Sequence, residues 1–302
     1  MGDFARGLGP DFVNVLNRAY QQKTWWSSML DDPDIYLGIR NRYLNLYYKG
    51  NSLVRLNCPS GTDLSGCIHY KYLVKPDASP YVTCINDNLV GTALGADYFL
   101  QSLTDPTLLK RATEPYAGVE KSGVHEILRS NWNVIDVEIG ITDEDDAVDD
   151  ASRPGAQRID FAALVPAQGR VNLVFYEAKH FGNGELRANG DGTPMVLQQI
   201  EKYKELLSAK RSRVEEAYRT VCSELARLEG APEDLKGLAK QVESGVVQFS
   251  LDPEPRLVIF GFDEDQKRGA VWGRHRKKLM NVLGSRLLLK GDPKGMRKGI
   301  SR

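Results

Sequence analysis

The stretch that most limits what this chain can become runs from Arg158 to Tyr203: RIDFAALVPAQGRVNLVFYEAKHF, a glycine-rich loop, then VLQQIEKY. Two apolar runs, Ile159 to Val165 and Val171 to Tyr176, flank the turn-forming segment Pro166 to Arg170, and this spacing predicts a β-hairpin. Neither run alternates cleanly, which is the pattern of strands covered on both faces. Into this apolar hairpin the sequence sets Asp160, near the start of one strand, and Glu177 and Lys179, at the end of the other. Charges in such surroundings need partners.

A hard divalent cation would supply one. Mg²⁺, or Mn²⁺ in its place, takes carboxylate and carbonyl oxygens and keeps several waters, so Asp160, Glu177 and the backbone carbonyl of Ala178 make a suitable open set. Glu177 and Lys179 lie two apart on a strand and point to one face, which puts the ammonium beside the attacking water and the scissile phosphate. Taken alone, Glu177 and Lys179 also read as an ordinary strand-end ion pair.

The ordered set resembles the PD-(D/E)xK nuclease superfamily, whose signature is an acid at a strand start followed by Glu-x-Lys on the next strand. Asp160 and Glu177-Ala178-Lys179 match it, and Gln199-Ile200-Glu201-Lys202-Tyr203 matches the Gln-x-x-x-Tyr that RecB-like members carry on the following helix. Ile159 stands where the family's name has proline. The likeness covers roughly residues 120–262 and leaves the N-terminal third without a counterpart. It implies a restriction-endonuclease-like core, a mixed sheet flanked by helices in an α/β (α+β) fold, and Mg²⁺-dependent hydrolysis of DNA, as in phage or mobile-element defence or DNA repair. It also implies that Gln199 and Tyr203, one helical turn apart, face the site. Two other functions fit the same residues: an RNA-directed nuclease, and a catalytically silent nucleic-acid-binding or assembly module.

The rest of the chain is organised around this core. A length of 302 residues suggests two domains, placed at 1–104, a β-rich N-terminal module, and 105–302, a nuclease-like domain with a helical insertion near 205–250. A short amphipathic helix is expected from Asp11, a possible cap, to Gln22, then a β-meander from Ile35 to Asn57 and strands at Cys67–Lys75 and Tyr81–Ile85. Arg40, Arg42, Tyr43, Tyr47, Tyr48 and Lys49 interleave base with aromatic; packing within a half-buried sheet accounts for them better than nucleic-acid contact. Four scattered cysteines read as reduced thiols, and Cys58, Cys67, His69 and Cys84 lack the spacing of a zinc knuckle.

A helical stretch from Asp105 to about Ser130, broken near Pro115, carries Val124, Ile127 and Leu128 as its apolar stripe. Glu120 falls on that stripe, where the resembled family often carries an additional acid. Ile135 to Ile141 alternates as a strand, with Glu138 a lesser site candidate, and the six acids between Asp143 and Asp150 mark a solvated loop. After Lys179, His180 and Arg187 are close enough in sequence to touch a phosphate, although residues of these types are more often plain surface polar groups. Pro194 opens a helical pattern that runs to about Glu229 and stops at Gly230, followed by a helical piece to Glu243, a strand at Arg256–Phe262 and a basic helix from Gln266 to Leu283.

The 40 basic and 40 acidic residues cancel, but they are not mixed evenly. Residues 267–302 hold twelve Lys or Arg against one acid, Asp292, a net of +11, so the remainder carries −11. Arg274, Lys277 and Lys278 share a turn of the expected last helix and are the candidate phosphate track for DNA. With no apolar run of about 18 residues and no signal-like segment near Met1, a cytoplasmic protein without a membrane segment is expected.

Overall fold

A computed structural model of the chain describes residues 4–69, 81–85, 88–90, 106–141 and 158–295. The fold is mixed α/β, with two sheets flanked by helices. The chain divides into two compact units, one formed by Ala5–Gly118 with Ala217–Ser244, the other by Met1–Phe4, Val119–Glu216 and Gly245–Arg302.

In the first unit, helices α1 (Pro10–Gln21) and α2 (Trp25–Leu30) precede an antiparallel meander. Its strands are β1 (Tyr36–Ile39), β2 (Leu44–Tyr48), β3 (Asn51–Asn57), β4 (Ser65–His69), β5 (Tyr81–Ile85) and β6 (Asn88–Val90), each paired with its sequence neighbour. The β2–β3 turn is Lys49-Gly50, both with positive φ (45° and 62°), the backbone twist that a two-residue hairpin loop demands. Gly9, not Asp11, is the N-cap of α1, and Asp11 sits in its first turn. The acceptor at this helix entry comes instead from Glu224, whose Oε1 receives the N–H groups of Leu8 (2.7 Å) and Gly9 (2.9 Å). The interleaved bases and tyrosines are internal partners here: Arg40 is fully buried and donates to Tyr47 Oη, while Lys49 and Tyr48 both meet Glu114. Helix α3 (Pro106–Thr113) completes the run, and Lys110 pairs with Asp32 and Asp34. Cys58, Cys67 and Cys222 are free thiols; residues 70–75 of the strand expected at Cys67–Lys75 and the acidic run 143–150 lie outside the described residues.

The second unit is built on a sheet of order β11-β10-β9-β8-β7. Helix α4 (Val119–Arg129) leads into β7 (Val134–Gly140), and β7, β8 (Arg158–Ala167) and β9 (Arg170–His180) pair antiparallel. Then α5 (Met195–Ala209) and α6 (Arg211–Arg227) follow where one long helix was expected, separated at Lys210; from Ala217 on, α6 belongs to the first unit, as does α7 (Glu233–Glu243). Strand β10 (Gln248–Phe260) runs parallel to β9 and to β11 (Leu287–Leu289). It is longer than its sequence suggests because Pro253 and Pro255, residues that read as breakers, sit at the irregularity where pairing with β9 lapses between Asp252 and Arg256. The expected basic helix is two, α8 (Glu264–Arg268) and α9 (Ala270–Leu283), parted at Gly269 with extended ψ of 132°.

Two packed layers fix where the hairpin's polar end lies. Leu257 and Ile259 of β10 join Val196, Ile200, Trp272 and Leu279 of α5 and α9 in one apolar cluster; each fully buried aliphatic side chain of this kind contributes about 1.5–3 kcal/mol. Phe260 points the other way, onto α4, where a Cβ at Gly123 would overlap its ring. Glycine is what lets α4 approach the sheet this closely. No helix among the described residues is long and apolar enough to cross a membrane.

Candidate active site

Strand register brings the acids together. Phe161 pairs with Tyr176 across β8–β9, so one step further Asp160 and Glu177 lie opposite each other; Val137↔Phe161 and Ile139↔Ile159 put Glu138 opposite Asp160 on the other side. Cross-strand neighbours in an antiparallel pair share a face. Three carboxylates thus form a row across β7, β8 and β9, and Lys179 is two residues along β9 on the same face. Glu177 and Lys179 are not at a frayed strand end: pairing of β9 with β10 continues through Lys179↔Ile259 and His180↔Phe260. Both side chains are buried, with Glu177 2% and Lys179 8% exposed.

Asp160 Oδ2 accepts the Ala178 N–H at 2.7 Å. The Lys179 ammonium lies 2.8 Å from Glu177 Oε1 and 2.8 Å from Glu185 Oε2. Glu177 Oε2, by contrast, is buried without a hydrogen-bond partner. Glu120 arrives from α4: its Oε2 accepts from the His180 backbone N–H (3.0 Å) and from Asn183 Nδ2 (2.9 Å). The buried residues of α4 are Gly123, His125, Ile127 and Leu128, whereas Val124 of the expected stripe is only half-buried; Glu120 lies one turn before Gly123. Gly123 against Phe260 therefore sets how near Glu120 comes.

Electrostatics follow from this crowding. Burial, then the charges of Glu177 and Glu138, raise Asp160 well above the usual carboxylate range, against the opposing pull of the Ala178 N–H. Burial pushes Glu177 up to about 7, opposed by Lys179 and reinforced by Glu120 and Glu185. Burial works against the charge on Lys179, yet the Glu177 and Glu185 carboxylates outweigh it and raise the ammonium above its ordinary value. Lys179 is the ammonium paired with Glu177 and Glu185, while Glu138 has the Arg158 guanidinium.

Gln199 and Tyr203 are joined as their spacing predicts, with Gln199 Nε2 donating to Tyr203 Oη at 2.7 Å. Tyr203 is itself buried, 1% exposed, and its hydroxyl donates to the Arg158 carbonyl at 2.6 Å. It braces the start of β8 two residues before Asp160. Burial and the nearby Glu177 charge raise its hydroxyl far above the ordinary tyrosine value. Glu138, half-buried, pairs with Arg158 at 3.8 Å and takes a left-handed φ of 53° inside β7. A non-glycine residue in that conformation within a strand is held there by its surroundings.

His180 and Arg187 serve the fold. His180 Nδ1 accepts from Gly182 N–H and its ring packs edge-on against Phe260, while Arg187 closes the loop by donating to the Phe181 and Asn183 carbonyls. On α9, Arg274 and Lys277 are exposed, but the Lys278 ammonium donates to the Gly190 and Gly192 carbonyls and so clamps the glycine-rich loop. Two contributors escaped sequence reasoning, Asn183 and Glu185, because GNGEL within a glycine-rich segment reads only as a turn. An Asn followed two residues later by an acceptor-seeking N–H is the available signal, and Asn183 Oδ1 does accept from Glu185 N–H at 2.9 Å.

Among the described residues no group of three or more His, Cys, Asp or Glu side chains is gathered as a metal site; the set expected from the sequence has two carboxylates and a carbonyl. Compared with protein-family models, curated proteins and solved structures, the chain matches none.

Proposed function

We propose that the second unit is a divalent-cation-dependent nuclease of the PD-(D/E)xK type that hydrolyses DNA phosphodiester bonds. The observation that carries this reading is the buried Oε2 of Glu177, which has no hydrogen-bond partner while Oε1 pairs with Lys179, directly across the strand pair from Asp160. Buried carboxylate left over in this way favours a cation. The order helix, strand, hairpin, helix, strand in a mixed sheet between helices is also the one that the sequence resemblance implies.

Asp160, Glu177 and the Ala178 carbonyl would hold Mg²⁺ or Mn²⁺. Such a cation, when bound, supplies Lewis-acid polarisation and a counter-charge for a phosphodiester. Lys179 then acts on the substrate itself, because its ammonium sits on the same face and offers a fixed positive charge to the negative charge that develops on the phosphate. Asp160 is oriented by the Ala178 N–H, and β8 is braced at Arg158 by Tyr203 and Gln199. Glu120 holds the far end of β9 by accepting the His180 N–H.

The test is a cleavage assay with supercoiled plasmid, linear duplex and single-stranded RNA, each with Mg²⁺, Mn²⁺ or EDTA. Cation-dependent nicking or end loss of DNA is expected. Absence of cleavage together with no heat of Mg²⁺ or Mn²⁺ binding by calorimetry refutes the enzyme and leaves a silent module of the same fold, and cleavage of RNA alone moves the substrate to RNA.

A further inference from the structure

We infer that Glu185, set in place by Asn183, is a positioning residue for Lys179; the inference rests on the nuclease reading above and adds to it how the ammonium stays at the reacting centre. Glu177 has two claims on it: Oε1 is the ion-pair partner of Lys179, and the free Oε2 is the oxygen offered to a cation. A carboxylate shared between a cation and an ammonium binds the ammonium more weakly, by the same Coulomb argument that drew the two together. Glu185, outside the cation set, meets Lys179 from the loop side as an ion pair, its Oε2 2.8 Å from the ammonium though outside hydrogen-bond geometry, so its charge is not shared with a cation.

The loop that carries Glu185 is fixed on both sides. Leu186, next in sequence, is fully buried in the cluster of Val196, Ile200 and Trp272. Asn183 caps the single 3-10 turn Gly184–Leu186 by accepting the Glu185 N–H, and with its amide donates to Glu120 Oε2. Glu120 in turn accepts the N–H of His180, the residue after Lys179. A closed circuit results, from Lys179 through Glu185, Asn183 and Glu120 back to the backbone of β9. Glu185 is 39% exposed at its side chain, so the pair adds little to folding stability. Its effect is on where the ammonium points.

Glu185→Gln keeps the shape and removes the charge. The expected result is a fall in kcat of about 10–100-fold, the usual range for groups that orient a site from behind it, with KM for DNA and the melting temperature close to wild type. Glu185→Asp recovers part of the loss, and Glu185→Gln adds nothing in a Lys179→Ala background. The second readout is independent of cleavage: ¹⁵N-lysine NMR of the full chain in Mg²⁺ should show a slowly exchanging ammonium resonance that Lys179→Ala removes and Glu185→Gln abolishes. Wild-type kcat in Glu185→Gln, additive loss in the Lys179→Ala background, or a Lys179 resonance that is absent from wild type or persists in Glu185→Gln each overturn the inference. If the wild-type chain cleaves nothing, the nuclease reading falls and the resonance alone decides the role of Glu185.

Discussion

Within Glu177 the two carboxylate oxygens do different things, and the difference decides how the neighbouring residues respond to substitution. Oε1 faces Lys179 and Oε2 has no partner, so removing Lys179 takes away the counter-charge and leaves the cation set of Asp160 and Glu177 whole. Lys179→Ala is expected to lose about 10²–10³-fold in kcat, the scale of one lost electrostatic donor, while calorimetry still records Mg²⁺ binding. Asp160→Ala should lose both cleavage and the binding heat. Equal cleavage by Lys179→Ala and wild type excludes the mechanism. Tyr203→Phe deletes a hydroxyl that donates to Arg158 O and accepts from Gln199; a stability loss of about 1 kcal/mol, typical of one hydrogen bond, should accompany reduced turnover. A stability loss with full turnover would mean that the hydroxyl braces β8 without bearing on Asp160.

Between elements, two close approaches carry the arrangement. Gly123 of α4 lies against the ring of Phe260, so Gly123→Ala forces the helix away from the sheet. Overpacking of this kind costs about 1–3 kcal/mol, and it also moves Glu120 from the His180 N–H; thermal unfolding and cleavage should therefore worsen together. In the other unit, Glu224 supplies the acceptor at the entry to α1, and Glu224→Ala leaves the Leu8 and Gly9 N–H groups without it, at about 1–3 kcal/mol. Burial raises the Glu224 carboxyl above its ordinary value, against the opposing Gly9 and Leu8 N–H groups. The folded protein then holds a proton that the unfolded chain releases, so this contribution is complete below the unfolded value and declines as pH rises through the folded one. Denaturant titrations of wild type and Glu224→Gln across that range should show the wild type's relative stability falling with pH; a constant difference would contradict the raised value.

Across the whole chain, charge is segregated, with +11 in residues 267–302 and −11 elsewhere. The structure narrows which of those bases are available to a DNA backbone. Lys278 is committed to the Gly190 and Gly192 carbonyls, whereas Arg274 and Lys277 are exposed on α9; Arg297, Lys298 and Arg302 lie outside the described residues. Each phosphate contact contributes close to one unit of slope in log K against log salt. The double substitution of Arg274 and Lys277 by Ala should flatten that slope by up to about two units and weaken binding to all sequences alike. Lys278→Ala should leave the slope nearly intact and instead loosen the loop over residues 190–192, read as faster amide hydrogen exchange there. An unchanged slope in the double variant would move the DNA track off α9.

What the sequence determined by itself was the local grammar: hairpin, helix spacing and the chemical kinds of residue at the polar end of β9. Asp160, Glu177, Lys179 and the Gln199–Tyr203 pair were legible because strand and helix periods are fixed by backbone geometry, and turn residues such as Gly50 and Gly169 announce their own conformations. Even Glu120 could be read, from its position on a helical stripe. Tertiary structure alone decided the rest. It assigned Ala217–Ser244 to the N-terminal unit although these residues fall between β9 and β10, carried β10 through its two prolines, spent Lys278 and Arg187 on loop carbonyls, and brought Glu185 and Asn183 to Lys179. Such choices depend on which distant backbone leaves an acceptor unsatisfied or a charge unpaired. That information is not local, so no period or motif in the chain contains it.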